Sequence, residues 1–134
     1  PFINWAIINA SKDLKNIFIK ETKVDSLAPA VGTVHGIYKG ELNIDYSLIK
    51  KLAANLETPL VLHGGSGLSL DILRKCRDAG ITKININSDI QDAWSKNVKE
   101  YLNENKEEID PRKIIGSGFE AIKEVVASKI NINK

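Results

Sequence analysis

Two histidines are the only imidazoles of this chain, and each follows an apolar run and precedes a glycine. His63 opens His63-Gly64-Gly65-Ser66-Gly67 directly after Pro59-Leu60-Val61-Leu62, and His35 ends Gly32-Thr33-Val34-His35 before Gly36, after the run from Leu27 to Val31. A neutral imidazole held rigidly at the end of a strand is a common zinc ligand. The glycines after His63 offer backbone amides unobstructed by side chains. Ser66 adds a hydroxyl, and the helix that follows adds the positive end of its dipole, so the same run reads as a phosphate cradle. The two equivalent settings aim both histidines at one site. Each also has an ordinary alternative, a hydrogen-bonded core histidine for the imidazole and a plain βα turn for the glycines.

A third polar cluster, Asn85-Ile86-Asn87-Ser88, leaves an apolar run and enters a helical pattern. Strand alternation puts Asn85 and Asn87 on one face, where they could orient a small sugar phosphate, while Ser88 or Asp89 serves as a helix cap. Asp25 and Lys83 lie near strand starts and are assigned to solvent or structural pairing. Cys76 falls on an apolar helix face, where a thiol is usually inert. Trp5 and Trp94 read as core, because no basic stripe accompanies them.

These residues need strands that end at one place. Ser26 to Val34, Pro59 to Leu62 and Ile81 to Ile86 read as short strands. Between them, Leu48, Ile49, Leu52, Ala53 and Leu56 repeat at helical spacing after Asp45, and Leu70, Ile72, Leu73 and Cys76 do so between Ser69 and Gly80. Strands alternating with single helices imply a parallel sheet with right-handed crossovers and a ligand site at the carboxyl ends of the strands, where both histidines fall. Beyond the third strand, Asp89 to Leu102 reads as a helix with Ile90, Ala93, Trp94, Val98, Tyr101 and Leu102 on its apolar side. Asp110 then caps a last helix, with Pro111 at its first position, running to about Lys129. Residues 131–134 read as a frayed tail. Near the start, Ser11 to Lys20 reads as a helix with Leu14, Ile17 and Phe18 inward.

Composition narrows the function classes. At 134 residues, 43% hydrophobic and 27% charged, the chain reads as one globular domain, 1–134, without repeat, low-complexity stretch or linker. Nineteen basic against seventeen acidic residues give a net charge of +2, too balanced to argue for nucleic acid, so an anionic partner is expected to be small. A single cysteine forbids an internal disulfide and a cysteine zinc knuckle, so a metal must rely on His, Asp or Glu. No apolar stretch has the length of a membrane span, and no leader pattern opens the chain, so the expected location is the cytoplasm. A chain that begins at Pro1 and contains no methionine is expected to be a processed or truncated segment, or to have lost its initiator.

Four segments in order carry a resemblance to a known family: Val24-Asp25-Ser26-Leu27-Ala28-Pro29-Ala30-Val31-Gly32-Thr33-Val34-His35-Gly36-Ile37-Tyr38-Lys39-Gly40, Leu62-His63-Gly64-Gly65-Ser66-Gly67, Lys83-Ile84-Asn85-Ile86-Asn87-Ser88 and Asp110-Pro111-Arg112-Lys113. From about Val24 to Ile130 the chain resembles the C-terminal half of class II, zinc-dependent ketose-bisphosphate aldolases of the fructose- and tagatose-bisphosphate type. The resemblance implies an α/β fold, the C-terminal portion of a TIM (β/α)8 barrel holding about three βα units. It implies that His35 and His63 are zinc ligands, and it admits a monovalent cation as a second ion. Gly36, Gly64, Gly65 and Ser66 match phosphate-binding positions for the dihydroxyacetone phosphate moiety, and Asn85, Ile86, Asn87 and Ser88 match a further substrate-binding turn. Arg112 matches an arginine that in some dimeric relatives reaches across to the other phosphate of the substrate.

The implied reaction is reversible cleavage of fructose 1,6-bisphosphate to dihydroxyacetone phosphate and glyceraldehyde 3-phosphate. Zinc polarises the ketone and so stabilises the carbanion left by carbon–carbon cleavage, without a Schiff-base lysine. Tagatose 1,6-bisphosphate is the alternative substrate, and a non-catalytic remnant that keeps only the phosphate cradle is the alternative class. The family's Asp-His pair, with its proton-transfer acid and third zinc histidine, has no counterpart in this sequence, so no proton-transfer residue is assigned here. Two histidines fall short of the three protein ligands usual in catalytic zinc sites. Three parallel strands also leave a sheet edge open. The chain alone is therefore expected to be inactive, and to be a homo-oligomer or completed by a missing N-terminal half, with no nucleic-acid or membrane partner.

Overall fold

The structure, a computed structural model, describes residues 12–34, 36 and 42–133. It divides into two compact units, residues 1–85 and 86–134.

In the first unit, helix α1 (Lys12–Thr22) precedes the segment around Leu27. Helix α2 (Tyr46–Asn55), strand β1 (Leu60–Leu62), helix α3 (Leu70–Ala79) and strand β2 (Ile81–Ile84) follow. The two strands pair in parallel, with Leu60 opposite Ile81 and Leu62 opposite Ile84. All three residues of β1 are buried, as expected of a strand covered on both faces. The expected strand from Ser26 to Val34 contracts to one parallel bridge, Leu27 to Leu60, made by Leu27 N–H to the Pro59 carbonyl (2.9 Å) and Val61 N–H to the Leu27 carbonyl (2.8 Å). Pro29 brings no N–H to extend that ladder. At Gly32 the backbone turns through φ +97°, and a Cβ there would lie 1.9 Å from the Asn43 carbonyl oxygen, so the segment bends where a longer strand would continue.

The helices of this unit start and stop where their caps dictate. The Asp45 carboxylate accepts from the Leu48 N–H (2.8 Å), and the Ser69 hydroxyl accepts from the Ile72 N–H (3.3 Å). Gly80, at φ +121°, ends α3, and any side chain there would meet Ala53 of α2 at 2.3 Å. Helices α2 and α3 pack together, burying Ile49 and Leu52 from one and Leu73, Cys76 and Ala79 from the other. Leu27, Ile49, Leu60, Leu62, Leu73 and Cys76 are the largest fully buried side chains. Each buried leucine or isoleucine of that set stabilises the fold by about 1.5–3 kcal/mol relative to exposure. Ile17, expected inward on α1, is 55% exposed, while Phe18 is half-buried.

The second unit is helical: α4 (Ser88–Glu104), α5 (Pro111–Gly116), α6 (Phe119–Ile130) and a 3-10 turn, Asn131–Asn133. Asp110 caps α5 by accepting from the Arg112 N–H (2.9 Å), with Pro111 next, as expected. The single helix expected to run from Asp110 to Lys129 is broken at Ser117 and Gly118. A Cβ on Gly118 would stand 2.3 Å from the Trp94 ring, and the Trp94 indole N–H donates to the Ile115 carbonyl (3.1 Å), so α4 packs where an uninterrupted helix would have put a side chain. Residues 131–133, expected to fray, form a 3-10 turn after α6, with Ile132 buried. Among the described residues, no helix is long and apolar enough to cross a membrane.

Candidate functional site

Strand β1 carries His63 at its carboxyl end, half-buried, and β2 carries Asn85 at the corresponding place. Three contacts tie these ends together. Asn85 N–H donates to the Leu62 carbonyl (2.9 Å), Gly65 N–H donates to the Asn85 carbonyl (3.1 Å), and the Asn85 Nδ2 amide lies 3.4 Å from His63 Nδ1. The amide faces a ring nitrogen, so it donates in the tautomer that leaves Nδ1 unprotonated. A parallel pair of strands thus fixes one imidazole and aims an amide at it.

The turn after His63 has the backbone that its glycines permit. Gly64 (φ +67°) and Gly67 (φ +75°) adopt left-handed conformations that side chains resist. Ser66, between them, is 5% exposed. The turn ends on Ser69, the N-cap of α3, so its backbone runs into the positive end of a helix whose first turn is already capped. Gly65 contributes its amide to the strand end rather than to the turn's mouth. Gly36, at φ +88°, has nothing within 4 Å of where a Cβ would stand, so the need for glycine there is conformational rather than steric. His35, the other expected zinc ligand, lies outside the described residues.

The second unit holds the rest of the expected set. Helix α4 starts at Asn87, whose carbonyl accepts from both the Ile90 and Gln91 N–H groups at 3.0 Å. Ser88 and Asp89, expected as caps, lie inside the first turn instead, and the Asn87 side chain makes no capping hydrogen bond. Because β2 ends at Ile84, strand alternation does not reach Asn87, which is exposed where Asn85 is half-buried. Ile86 and Ser88 are half-buried. The Lys129 ammonium holds the Asp89 carboxylate at 2.9 Å, tying the start of α4 to the end of α6.

Arg112 is 88% exposed at its side chain, and its guanidinium forks onto Asp110, with Nε to Oδ1 at 3.0 Å and Nη2 to Oδ2 at 2.6 Å. That fork holds the Asp110 carboxyl below its usual range and the guanidinium above its own. Behind it lies a group with no sequence signal, the Glu108 carboxylate. It takes the Lys113 ammonium (2.9 Å) and the Tyr101 hydroxyl (3.2 Å) on one oxygen, and the Ile109 and Asp110 N–H groups (3.1 and 3.0 Å) on the other. The Lys113 bond first, and then the Asp110 N–H, hold the Glu108 carboxyl low, while burial first and then the Glu108 bond raise the Tyr101 hydroxyl. The seven residues from Tyr101 to Glu108 leave one helix and cross a turn, so no periodicity could have paired them.

Two further features lack the groups for chemistry. Burial pushes the Cys76 thiol up to about 11, which leaves it protonated and inert as expected. A pocket of about 480 Å³ in the second unit is lined by Ile90, Gln91, Trp94, Ser95 and Ile122, without a titratable group. Among the described residues, no three His, Cys, Asp or Glu side chains come together as a metal site.

Comparison with known proteins places these features in context. Residues 8–134 match the family model described as fructose-bisphosphate aldolase class-II. A fructose-bisphosphate aldolase of Staphylococcus epidermidis is 45% identical over 112 residues, which are 84% of this chain and 39% of the relative. One from Geobacillus stearothermophilus is 43% identical over the same length and shares. The crystal structure of the YdjI aldolase from Escherichia coli K12 superposes with a TM-score of 0.74 at 30% identity, over 92% of this chain and 45% of that one. The fructose-bisphosphate aldolase of Campylobacter jejuni does so with a TM-score of 0.70 at 26% identity, over 91% and 44%. The chain spans about two-fifths of the length of the curated relatives it matches. Its fold is the C-terminal portion of a (β/α)8 barrel, with, among the described residues, two strands and one bridge where three strands were expected.

Proposed function

The chain belongs to the class II fructose-bisphosphate aldolase family, and from that premise we propose that it supplies the carboxyl-end part of a barrel for the reversible cleavage of fructose 1,6-bisphosphate. The products are dihydroxyacetone phosphate and glyceraldehyde 3-phosphate. In this reading residues 1–134 form part of one barrel domain that works in the cytoplasm on a small sugar phosphate, without nucleic acid or membrane. The observation that carries the reading is the His63 strand end, stitched to Asn85 and followed by a left-handed glycine turn that enters a capped helix.

Zinc fits this chain as far as its donors go. His63 is held at its strand end beside the Asn85 amide. With that amide turned so that its oxygen accepts from Nδ1–H, Nε2 is left unprotonated to bind a metal, and His35 is the second imidazole of the sequence, so the chain carries two of the usual three protein ligands. When bound, zinc supplies Lewis-acid polarisation of the substrate carbonyl. The chain's own residues do the remaining work. Gly36, Gly64 and Ser66 cradle the phosphate next to the ketone, and Gly65 locks the turn to β2. Asn85 orients both His63 and the substrate's oxygens, and Ile86, Asn87 and Ser88 are further substrate-binding positions. Arg112 takes the far phosphate. The reading also admits a monovalent cation as a second ion.

The relatives' names favour fructose over tagatose bisphosphate as the substrate. The shortage of ligands favours a second reading for the chain by itself, a phosphate-binding remnant without catalysis. The deciding assay measures dihydroxyacetone phosphate released from fructose 1,6-bisphosphate by the purified chain with added zinc, beside a chelator control. We expect no release from the chain alone, and chelator-sensitive release once a polypeptide carrying the other half of the barrel is supplied. Release by the chain alone would mean that it completes a site by self-association. No release even with the other half would leave the remnant reading.

A further inference from the structure

Arg112, like Asn87, is exposed among the residues assigned above to the substrate, and a long exposed arginine costs conformational entropy whenever it must be held for a ligand. Here part of that cost is met before any ligand arrives. Asp110 grips the Nε and Nη2 edge of the guanidinium, and because the group is planar, its remaining N–H groups point away from Asp110 along the opposite edge. Asp110 can grip only if its own backbone is fixed. That is the task of Glu108, whose Oε1 accepts the Asp110 and Ile109 N–H groups while its Oε2 is held by Lys113 and Tyr101. The Glu108 side chain is 16% exposed against 88% for Arg112, so a sheltered hub supports an exposed arm.

We propose that Glu108 is the positioning residue for Arg112: by clamping the turn 108–110 it makes Asp110 present the guanidinium's open edge to the phosphate of a sugar bisphosphate that lies far from the ketone. The proposal rests on the reading of Arg112 given under Proposed function. Glu108 bears a negative charge and would by itself repel an anionic sugar, so a gain from its carboxylate must come through a cation it positions, and the Arg112→Gln background separates Arg112 from Lys113.

The test uses the full 134-residue chain labelled with nitrogen-15, with zinc, and follows the Arg112 Nε–Hε signal and the affinities for fructose 1,6-bisphosphate and fructose 1-phosphate. In the parent chain the signal is expected to be sharp and displaced from that of a free arginine. Glu108→Gln keeps an oxygen for the two N–H groups but loses the charge and the Lys113 and Tyr101 bonds that anchor it, so it should shift the signal part of the way toward the free position and weaken the bisphosphate by about threefold to tenfold. The 1-phosphate, which lacks the far group, should bind unchanged, and Glu108→Gln should add nothing in an Arg112→Gln background. An unchanged Arg112 signal in Glu108→Gln overturns the positioning role whether or not the sugar binds. So does an unchanged or improved bisphosphate affinity while Arg112→Gln weakens it. If instead Arg112→Gln leaves bisphosphate affinity intact, the phosphate reading of Arg112 fails and takes this proposal with it. Should Glu108→Gln lose its helical circular dichroism, Tyr101→Phe and Lys113→Gln each remove one donor and keep the carboxylate, and each should loosen the same signal in part; no loosening in either overturns the hub.

Discussion

The two units of this molecule are ordered by different forces. The first buries Leu27, Ile49, Leu60, Leu62, Leu73 and Cys76 completely and holds its functional turn with backbone hydrogen bonds. The second, among its described hydrophobic residues, buries only Val98 and Ile132. It exposes Leu102, Ile109, Ile115, Phe119, Val126 and Ile130, and it ties its functional arm with charges around Glu108 and Asp110. The His63 imidazole sits at the end of packed strands, and the Arg112 guanidinium sits, exposed, on the polar groups around Asp110 and Glu108.

Three measurements would break or sharpen that contrast. The largest effect is expected in the packed core: Leu73→Ala should lose about 2–5 kcal/mol, the cost of a cavity in a site that cannot collapse, whereas Phe119→Ala, at 51% exposure, should stay within about 0.5 kcal/mol. Urea denaturation followed by amide exchange reads both, and equal losses would abolish the distinction. Next comes Gly118→Ala, where the new methyl meets the Trp94 ring. Overpacking there should cost about 1–3 kcal/mol and shift Trp94 fluorescence, with exchange in the first unit unchanged. A stable variant with unaltered fluorescence would show that α4 and α6 are looser than they look.

The smallest effect is electrostatic and depends on pH. The Glu108 and Asp110 carboxyls sit below their ordinary values of 4.5 and 3.8. A carboxyl with a depressed folded pKa stabilises above its unfolded value and loses that contribution as pH falls through the folded one. Acidification below about pH 4 should therefore loosen the second unit before the first, whose counterpart is Asp45, lowered chiefly by the Leu48 N–H. Amide exchange measured across a pH series checks the order, and simultaneous loosening would count against the polar hub as the second unit's main tie.

Much of the first unit was legible in the sequence. Asp45 and Gly80 bound helices where their types predict, and Ser69, expected inside its helix, caps it instead; a cap is an interaction over three or four residues that a single chain segment contains entire. The strand end bearing His63 was legible for a similar reason, since an apolar run closed by a glycine turn marks where a parallel strand must stop, whereas the third strand, expected to run to Ile86, stops at Ile84. The first strand was not, because Pro29 and the close pass of Asn43 by Gly32 decide its length, and the second of these involves a residue eleven positions away.

The sequence by itself determined which chemistry the chain can hold: two imidazoles, a glycine turn on a helix start, an amide-bearing strand end and an Asp-Pro-Arg cap. Only the tertiary structure decided how those groups are spent. It committed the Gly65 amide to Asn85, put the N-cap position of α4 at Asn87 instead of at Ser88 or Asp89, split the last helix against Trp94, and placed Glu108 behind the arginine. Residue type and short spacing fix what a segment can donate or accept. Which partner it meets depends on distances set by packing, and those belong to the folded chain.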